Sequence, residues 1–246
     1  MKKLFALILA LTLCLTAVAF GEEADAYLTS LEGTYQNLFP AFRNEAYNDM
    51  WTEALTGAGV PAEKADVVKE AFLSMFESTV YGADAVALAE ADPTYFVFDC
   101  QMEQGVKEIT FSGNTITGVD ADGKELFSHS YTYYGSEKED FGAMNEMYSA
   151  YLTEETWPMW EIYVSDTEDG EFTYFAFTGD SPAETYHIEF RYGSNPEELA
   201  PYYSGAYAYW MASAIYADCS DEVMQNCINL FVTENAADLL AIAEAL

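Results

Sequence analysis

The amino-acid sequence predicts a mainly β protein with flanking helices, in which an antiparallel meander closes into a barrel or a sandwich. Between about residues 95 and 192, short runs rich in aromatic and β-branched residues alternate with clusters of turn-forming residues. Helix-forming sequence precedes this region and follows it. Strands joined by such short turns are typical of antiparallel barrels, so we expect one domain with a β core and helices around it.

The first 21 residues predict a secretory signal peptide. Lys2 and Lys3 precede an uncharged run over residues 4–20, and small residues lead to Gly21, which completes the three regions of such a peptide. The apolar run is at the short end of what a membrane-spanning helix needs. We therefore expect cleavage near Gly21 and a bacterial protein that works outside the cytoplasm, with no membrane span after cleavage.

The chain is strongly acidic. It has 9 Lys and Arg against 42 Asp and Glu, a formal net charge of −33, and removal of Lys2 and Lys3 makes the mature chain more acidic still. That charge repels nucleic acid and anionic membranes and favours solubility or the binding of cations. Selection for solubility is by itself a sufficient explanation. We expect no nucleic-acid partner.

From residue 24 to about residue 90 the sequence predicts mainly helix. Residues 61–63, Pro-Ala-Glu, form a helix-start signal. Apolar residues follow it at helical spacing: Val67, Val68, Phe72, Met75 and Phe76. This pattern indicates an amphipathic helix that packs on the rest of the domain.

Four turn clusters divide the central region into strands. They are residues 112–114, 120–123, 166–170 and 179–182. The second cluster resembles the beginning of a calcium-binding loop, but Tyr131 stands where that loop has its closing glutamate. We therefore interpret it as a hairpin turn.

The last part of the chain, residues 206–246, again predicts helix. Ser220 and Asp221 form a helix-start signal, and residues 233–235 are a start for a final amphipathic segment. Three cysteines remain after signal cleavage, so at most one internal disulfide is expected. Cys219 and Cys227 could pair only if the chain before this helix folds back, and Cys100 is the third thiol.

The segment over residues 184–193 carries the residues that point to chemistry. As a strand it has one apolar face: Tyr186, Ile188, Phe190 and Tyr192. Its polar face is Thr185, His187, Glu189 and Arg191. His187 and Glu189 then project side by side, as a metal site on a strand requires, and Asp180 across the preceding turn could supply a third ligand. Such a row is also typical of a solvated strand face with cross-strand ion pairs, and taken alone that is the commoner case.

Four segments resemble the ZinT family of exported zinc-binding proteins. Residues 187–193, His-Ile-Glu-Phe-Arg-Tyr-Gly, are similar to the family's His-x-His strand. Residues 31–40, Leu-Glu-Gly-Thr-Tyr-Gln-Asn-Leu-Phe-Pro, are similar to its opening Trp-Asp-Gly-x-Trp-Gln-Ser-x-Tyr-Pro. Residues 131–135 and 201–203 are similar to its Tyr-x-Tyr-x-Gly and Pro-x-Tyr-Tyr. The segments follow the family order and cover roughly residues 27–216.

The resemblance implies a lipocalin-like (calycin) barrel with flanking helices, export, and zinc held near the barrel mouth. His187 matches the first histidine of the His-x-His pair, Glu189 occupies the second, and Asp180 occupies the place of an earlier histidine. Zinc accepts carboxylate ligands, but they shift preference toward manganese, calcium or magnesium. The family's histidine-rich segment and its disulfide are missing, and His129 stands where one cysteine of that pair would fall. The ZinT-like domain would cover residues 22–216 and a helical extension residues 217–246.

We therefore expect a non-enzymatic, exported protein that captures or buffers a divalent cation, zinc or a similar ion such as manganese, with a metal-uptake system as a natural partner. Two alternatives stay open: a metal-free barrel that carries a small apolar ligand, and a surface interaction module. The chain has no Gly-x-Ser-x-Gly, His-Glu-x-x-His or Gly-Lys-Ser pattern, so an enzyme is the least expected class.

Overall fold

Eight antiparallel strands form a closed barrel, and helices pack around it. The computed structural model describes residues 22–92, 97–140 and 159–246, so the predicted signal peptide lies outside the described residues. An up-and-down barrel of eight strands is the lipocalin-like architecture. The predicted fold class is therefore confirmed.

The strands follow one another around the barrel in chain order, and the last pairs with the first. They are β1 (Gly33–Asn37), β2 (Glu108–Ser112), β3 (Thr115–Val119), β4 (Glu125–Lys138), β5 (Met159–Ser165), β6 (Tyr174–Phe177), β7 (Ile188–Gly193) and β8 (Ala212–Tyr216). The four predicted turn clusters all lie between consecutive strands of this set, as expected.

Helices precede β1, occupy the connection between β1 and β2, and follow β8. Those of the described residues are α1 (Glu22–Ser30), α2 (Leu38–Phe42), α3 (Asn48–Gly57), α4 (Ala65–Leu73), α5 (Ala83–Ala91), α6 (Asp221–Glu234) and α7 (Ala236–Ala245). Helix α3 contacts α4 and α6, and α4 also contacts α7, so helices from both ends of the chain form one layer. Not one of the described helices combines the length and the apolar run that crossing a bilayer would need.

The two strands that close the barrel lie where the sequence predicted helix. Strands β1 and β8 are only five residues long, Gly-Thr-Tyr-Gln-Asn and Ala-Ser-Ala-Ile-Tyr. Their pairing aligns Gln36 with Ile215, and the rings of Tyr35 and Tyr216 stack with centroids 4.5 Å apart. Strands as short as these form because distant segments of the chain pair with each other, and the local propensity of their residues does not determine them.

One predicted helix start and one predicted buried helix face can be compared with the structure. Helix α6 begins after Ser220, whose hydroxyl accepts a hydrogen bond from the Val223 amide, so this start is confirmed. In α4, Val68 and Phe72 are fully buried, but Val67 is 53% exposed. The prediction that Val67 belongs to the packed face is wrong, because the buried positions recur every four residues and Val67 lies about 100° away.

Aromatic rings fill the barrel interior. The ring centroid of Phe175 on β6 lies 5.2 Å from that of Tyr131 and 5.1 Å from that of Tyr192. Phe177 on the same strand contacts Phe111 across the barrel, with centroids 5.9 Å apart, and Tyr27 of α1 at one end, at 5.7 Å. Rings at these separations are in packing contact. The interior is therefore a packed core.

Candidate metal centre

Both faces of strand β7 are buried. Phe190 and Tyr192 point into the barrel core, and on the outer face Glu189 and Arg191 are 0% exposed. His187, directly before the strand, is 4% exposed. The solvated-face interpretation of this polar row is therefore wrong, because helix α6 and the chain before β8 lie over it.

The strand is also shorter than predicted. It begins at Ile188 instead of near residue 184. The preceding strand, β6, covers Tyr174–Phe177. Tyr186 has a φ of 66°, which interrupts the extended backbone before His187. The hydroxyl of Thr185 donates to the carbonyls of Ser181 and His187, both at 2.9 Å, so Thr185 stabilises the loop between the strands.

The structure brings the three predicted ligands together. One ligand atom each of Asp180, His187 and Glu189 lies within 4.8 Å of the other two, and all three residues are buried. The closest measured pair is Nε2 of His187 and Oε1 of Glu189, at 3.7 Å. His187 and Glu189 project side by side from the start of β7, and Asp180 comes from the loop after β6.

The imidazole of His187 is held in one orientation by the backbone. Its Nδ1 lies 2.7 Å from the carbonyl oxygen of Thr185. A carbonyl oxygen only accepts, so Nδ1 is the donor, and Nε2 faces the carboxylates. Metal-binding histidines are commonly oriented in this way, with the second ring nitrogen hydrogen-bonded to a carbonyl or a carboxylate.

Asp180 is positioned by two elements. The Thr178 hydroxyl donates to Oδ2 of Asp180 at 2.6 Å. The hydroxyl of Tyr27 on α1 donates to the Asp180 main-chain carbonyl at 2.8 Å. The second contact ties the loop between β6 and β7 to the first helix of the chain.

Glu189 is the member of the cluster whose hydrogen bonding is incomplete. Ser213 on β8 donates to Oε1 at 3.3 Å, whereas no described residue donates to Oε2. A carboxylate oxygen that is buried without a partner is energetically unfavourable. A cation between the three side chains would relieve this cost.

The electrostatics of the cluster are those of acidic groups packed around one imidazole. Burial raises the pKa of the Asp180 and Glu189 carboxyls above their ordinary values, because their charged forms lose water. Burial alone would lower the pKa of His187, but hydrogen bonds with Cys227 and Glu189 and the charge of Asp180 raise it well above its ordinary value. The cluster therefore favours a positive charge at its centre.

Helix α6 supplies neighbours that the sequence did not point to. The ring centroid of Phe231 lies 5.1 Å from that of His187, and the buried Cys227 is among the groups that raise the pKa of His187. These two residues are one helical turn apart, and helical spacing alone would have placed them on one face. Nothing in the local sequence indicates that this face covers β7. Cys100, Cys219 and Cys227 are all free thiols.

Arg191 has a different role at the other end of the same face. Its Nε donates to the Trp210 carbonyl at 2.7 Å, and Nη1 donates to those of Leu199 and Pro201. The guanidinium lies 5.0 Å from the Trp160 ring centroid and 4.9 Å from that of Tyr202. These contacts fix the chain between β7 and β8 against the barrel.

His129 and the calcium-like turn do not take part in the cluster. Nε2 of His129 on β4 lies 2.9 Å from Oδ2 of Asp169, within hydrogen-bond distance and away from the cluster. Asp120 accepts hydrogen bonds from the amides of Asp122 and Lys124 and closes the hairpin between β3 and β4. The hairpin-turn interpretation is confirmed.

Comparisons with known proteins find similar solved structures. No family model matches the chain, and no curated protein matches it. Among solved structures, it is similar to the Zn(II)-bound ZinT-like domain of Streptococcus pneumoniae AdcA, with 14% identity and a TM-score of 0.48 over 82% of this chain and 89% of that one. It is also similar to Zn(II)-bound AdcA from the same organism, with 13% identity and a TM-score of 0.45 over 82% of this chain and 34% of that one.

Proposed function

We propose that this chain is an exported protein that captures or buffers a divalent cation outside the cytoplasm, with Asp180, His187 and Glu189 as its ligands. The observation that carries the proposal is the convergence of three buried ligand atoms within 4.8 Å. The oriented imidazole and the incomplete hydrogen bonding of Glu189 support it. An acidic surface favours the approach of cations to the molecule.

Zinc is the cation that fits this donor set best. Zinc takes imidazole nitrogen and carboxylate oxygen in four-coordinate sites. Calcium and magnesium instead take six or more ligands that are mostly oxygen, which three side chains in a buried site do not provide. Manganese, which tolerates a mixed nitrogen and oxygen set, is the second candidate.

The rival functions find less support. A carrier of apolar ligands needs room inside the barrel, and the described interior is filled by contacting rings. A thiol enzyme would use a cysteine beside a histidine, for which Cys227 and His187 are the candidates. These residues are 0% and 4% exposed, so substrate would have to displace α6 to reach them. We therefore propose a binding function without catalysis.

The proposal includes the expected export and its consequence for partners. The leader over residues 1–21 would deliver the chain outside the cytoplasm, where a metal-uptake system is the natural recipient of the cation. Residues 22–216 would form the ZinT-like domain, and residues 217–246 would complete it, because α6 contacts α3 and lies over His187.

The test is a titration of protein comprising residues 22–246, without a histidine tag and freed of metal by chelation. Zinc, manganese and calcium are titrated by calorimetry into the wild-type protein and into the His187→Ala, Glu189→Ala double variant. We expect one equivalent of zinc at micromolar affinity or better in the wild type and no such binding in the double variant.

The matched control is His129→Ala, which removes the other histidine and leaves the cluster intact. It should bind zinc like the wild type. Absence of heat at saturating metal would contradict the proposal, and so would binding that the double variant retains. Loss of binding in His129→Ala would move the site to β4.

A further inference from the structure

The three residues of the proposed cation site are closed off from water. Asp180, His187 and Glu189 are 5%, 4% and 0% exposed. A cation can reach them only if part of the protein moves. Two described elements are placed to do so. One is helix α6, which lies over His187, and the other is the segment that connects β6 to β7 and carries Asp180, here called the site loop (residues 179–186).

Helix α6 is held in place by a large apolar contact. Its buried side chains, each at most 3% exposed, are those of Met224, Cys227, Ile228, Phe231 and Val232. The ring centroid of Phe231 also lies 5.9 Å from that of Phe39 and 5.3 Å from that of Phe42. Displacement of the helix would expose all of this apolar surface to water, which is strongly unfavourable.

The site loop has few attachments to the rest of the protein. The hydrogen bonds between β6 and β7 end at Thr178, whose amide donates to the Glu189 carbonyl at 3.2 Å. Among the described residues, Tyr27 of α1 is the one residue from elsewhere in the chain that hydrogen-bonds the loop, through the Asp180 carbonyl at 2.8 Å. Its other partners outside the loop are its immediate neighbours, Thr178 and His187.

Both ends of the site loop have the backbone conformation of a hinge. Gly179 has a φ of 91° and Tyr186 a φ of 66°. Glycine adopts this region freely, whereas for a tyrosine it is strained, so the closed loop needs contacts that offset the strain. Between the two ends, the amide and the hydroxyl of Thr185 both donate to the Ser181 carbonyl, at 2.8 and 2.9 Å. This turn can move as one unit, because its internal hydrogen bonds move with it.

We infer that the site loop is a gate for the cation, hinged at its two ends and latched by the hydroxyl of Tyr27. This inference rests on the proposed function. Opening carries Asp180 away from His187 and Glu189, which remain beside the start of β7. These two residues therefore receive the cation first, and closure adds Asp180 and excludes water. The latch then sets the rate at which the cation enters and leaves.

The test measures the rates of zinc binding and release in protein comprising residues 22–246. Stopped-flow mixing of zinc-loaded protein with an excess of a chromogenic chelator gives the release rate, and mixing of metal-free protein with zinc gives the association rate. In Tyr27→Phe both rates should rise by about 3- to 10-fold, which corresponds to one lost hydrogen bond. The affinity should change less than either rate, because the latch closes the loop with and without the cation.

Two matched variants make a change of similar size elsewhere. Tyr35→Phe removes a hydroxyl that donates to the Leu31 carbonyl at 2.8 Å and not to the site loop. Ile228→Val shortens a fully buried side chain of α6, which lowers stability about as much as the loss of one hydrogen bond. Both variants should keep the wild-type rates. If the helix were the moving part, Ile228→Val would raise both rates.

The outcomes distinguish the gate from the function on which it rests. Faster release with unchanged or slower association in Tyr27→Phe would mean that Tyr27 only positions Asp180, and it would overturn the gate. Unchanged rates in that variant, or faster rates in Ile228→Val, would overturn it as well. In each of these cases zinc still binds and the proposed function stands. If zinc does not bind the wild-type protein, both proposals fail.

Discussion

The two ends of the outer face of β7 bury ionisable groups in opposite ways. At one end, Nε and Nη1 of Arg191 donate to three carbonyls, and its guanidinium lies between two aromatic rings. At the other end, Glu189 has an oxygen without a donor beside His187 and Asp180. Glu189 and Arg191 are both 0% exposed, so the exposed fraction of the side chain does not distinguish the two ends.

Each group has one buried atom with no hydrogen-bond partner among the described residues, Nη2 of Arg191 and Oε2 of Glu189, so the difference lies in the remaining atoms. Arg191 donates three hydrogen bonds to main-chain carbonyls, and its removal would leave those carbonyls without their donor. A buried acidic cluster with incomplete bonding lowers stability until a ligand completes it. We therefore expect substitutions at the two ends to have opposite signatures, one in stability and the other in binding.

The largest effect is expected from Arg191→Met. This change leaves three buried carbonyls without their donor and removes the guanidinium that lies over the Trp160 and Tyr202 rings. The free energy of unfolding should therefore fall by about 3–5 kcal/mol. Urea denaturation measures it. Arg43→Met is the matched control, because Arg43 is partly exposed and pairs with Glu70 and Glu77 at the surface. The control should lose less than about 1 kcal/mol, and an equal loss in both variants would contradict the comparison.

The next effect concerns binding at the other end. Glu189→Gln should weaken zinc binding by about 100-fold or more, which is about 2.7 kcal/mol, because the variant replaces a charged ligand by a neutral amide. The metal-free variant should be as stable as the wild type or more so, since an unsatisfied carboxylate is removed. Calorimetric titration and urea denaturation measure the two quantities. A metal-free variant that is several kcal/mol less stable would show that Glu189 is structural, like Arg191.

A third prediction concerns the pH dependence of the metal-free protein. Burial raises the pKa of Glu139 to about 8 and that of Asp238 to about 6, and it also raises that of Glu189. The folded state then keeps protons that the unfolded chain loses above about pH 4.5, so stability is highest at low pH and falls as pH rises toward about 8. We expect a Tm at least about 4 °C lower at about pH 8 than at about pH 5.

Zinc and two variants sharpen this pH prediction. Saturating zinc should raise the Tm at the higher pH, because the cation replaces protons on His187 and Glu189, and its affinity should weaken as pH falls. Glu139→Gln should flatten the pH dependence, whereas Glu137→Gln, at an exposed position near the end of β4, should leave it unchanged. A Tm that rises with pH in the metal-free protein would contradict the prediction.

The smallest effect is expected from Tyr27→Phe. This change removes the hydroxyl that donates to the Asp180 carbonyl and keeps the ring on Phe177. Loss of one hydrogen bond should lower stability by about 0.5–1.5 kcal/mol. It should weaken zinc binding by roughly tenfold or less, because the loop that carries Asp180 becomes less well positioned. Unchanged affinity would mean that Asp180 is positioned by Thr178 alone.

Much of the fold could be predicted from local sequence, and the failures share one cause. Turn clusters and alternation located β2 to β7, and Ser220 located the start of α6. Strands β1 and β8 were missed because each is five residues long and exists through its pairing with the other. Local patterns carry no information about such distant pairing.

The candidate site divides in the same way. His187 and Glu189 were predicted to project together because alternate residues of a strand share a face. Asp180 was predicted as a third ligand because it lies across the turn before this strand, the family resemblance placed it at a ligand position as well, and the structure brings it within reach of both. The burial of this face and the contact of His187 with Phe231 could not be predicted, because they depend on a helix that begins 34 residues after His187 and packs from outside the barrel.

The pairing of β1 with β8 also sets an order of events in folding. The first and last strands of the barrel are neighbours, so closure waits until both are available, and contacts over such long stretches of chain form slowly. Helix α6 follows β8 after residues 217–220, so the pairing of β8 with β1 also holds near the barrel the helix that covers His187. A chain in which these two strands were unpaired would hold that helix less firmly over His187 and would retain a cation there less well.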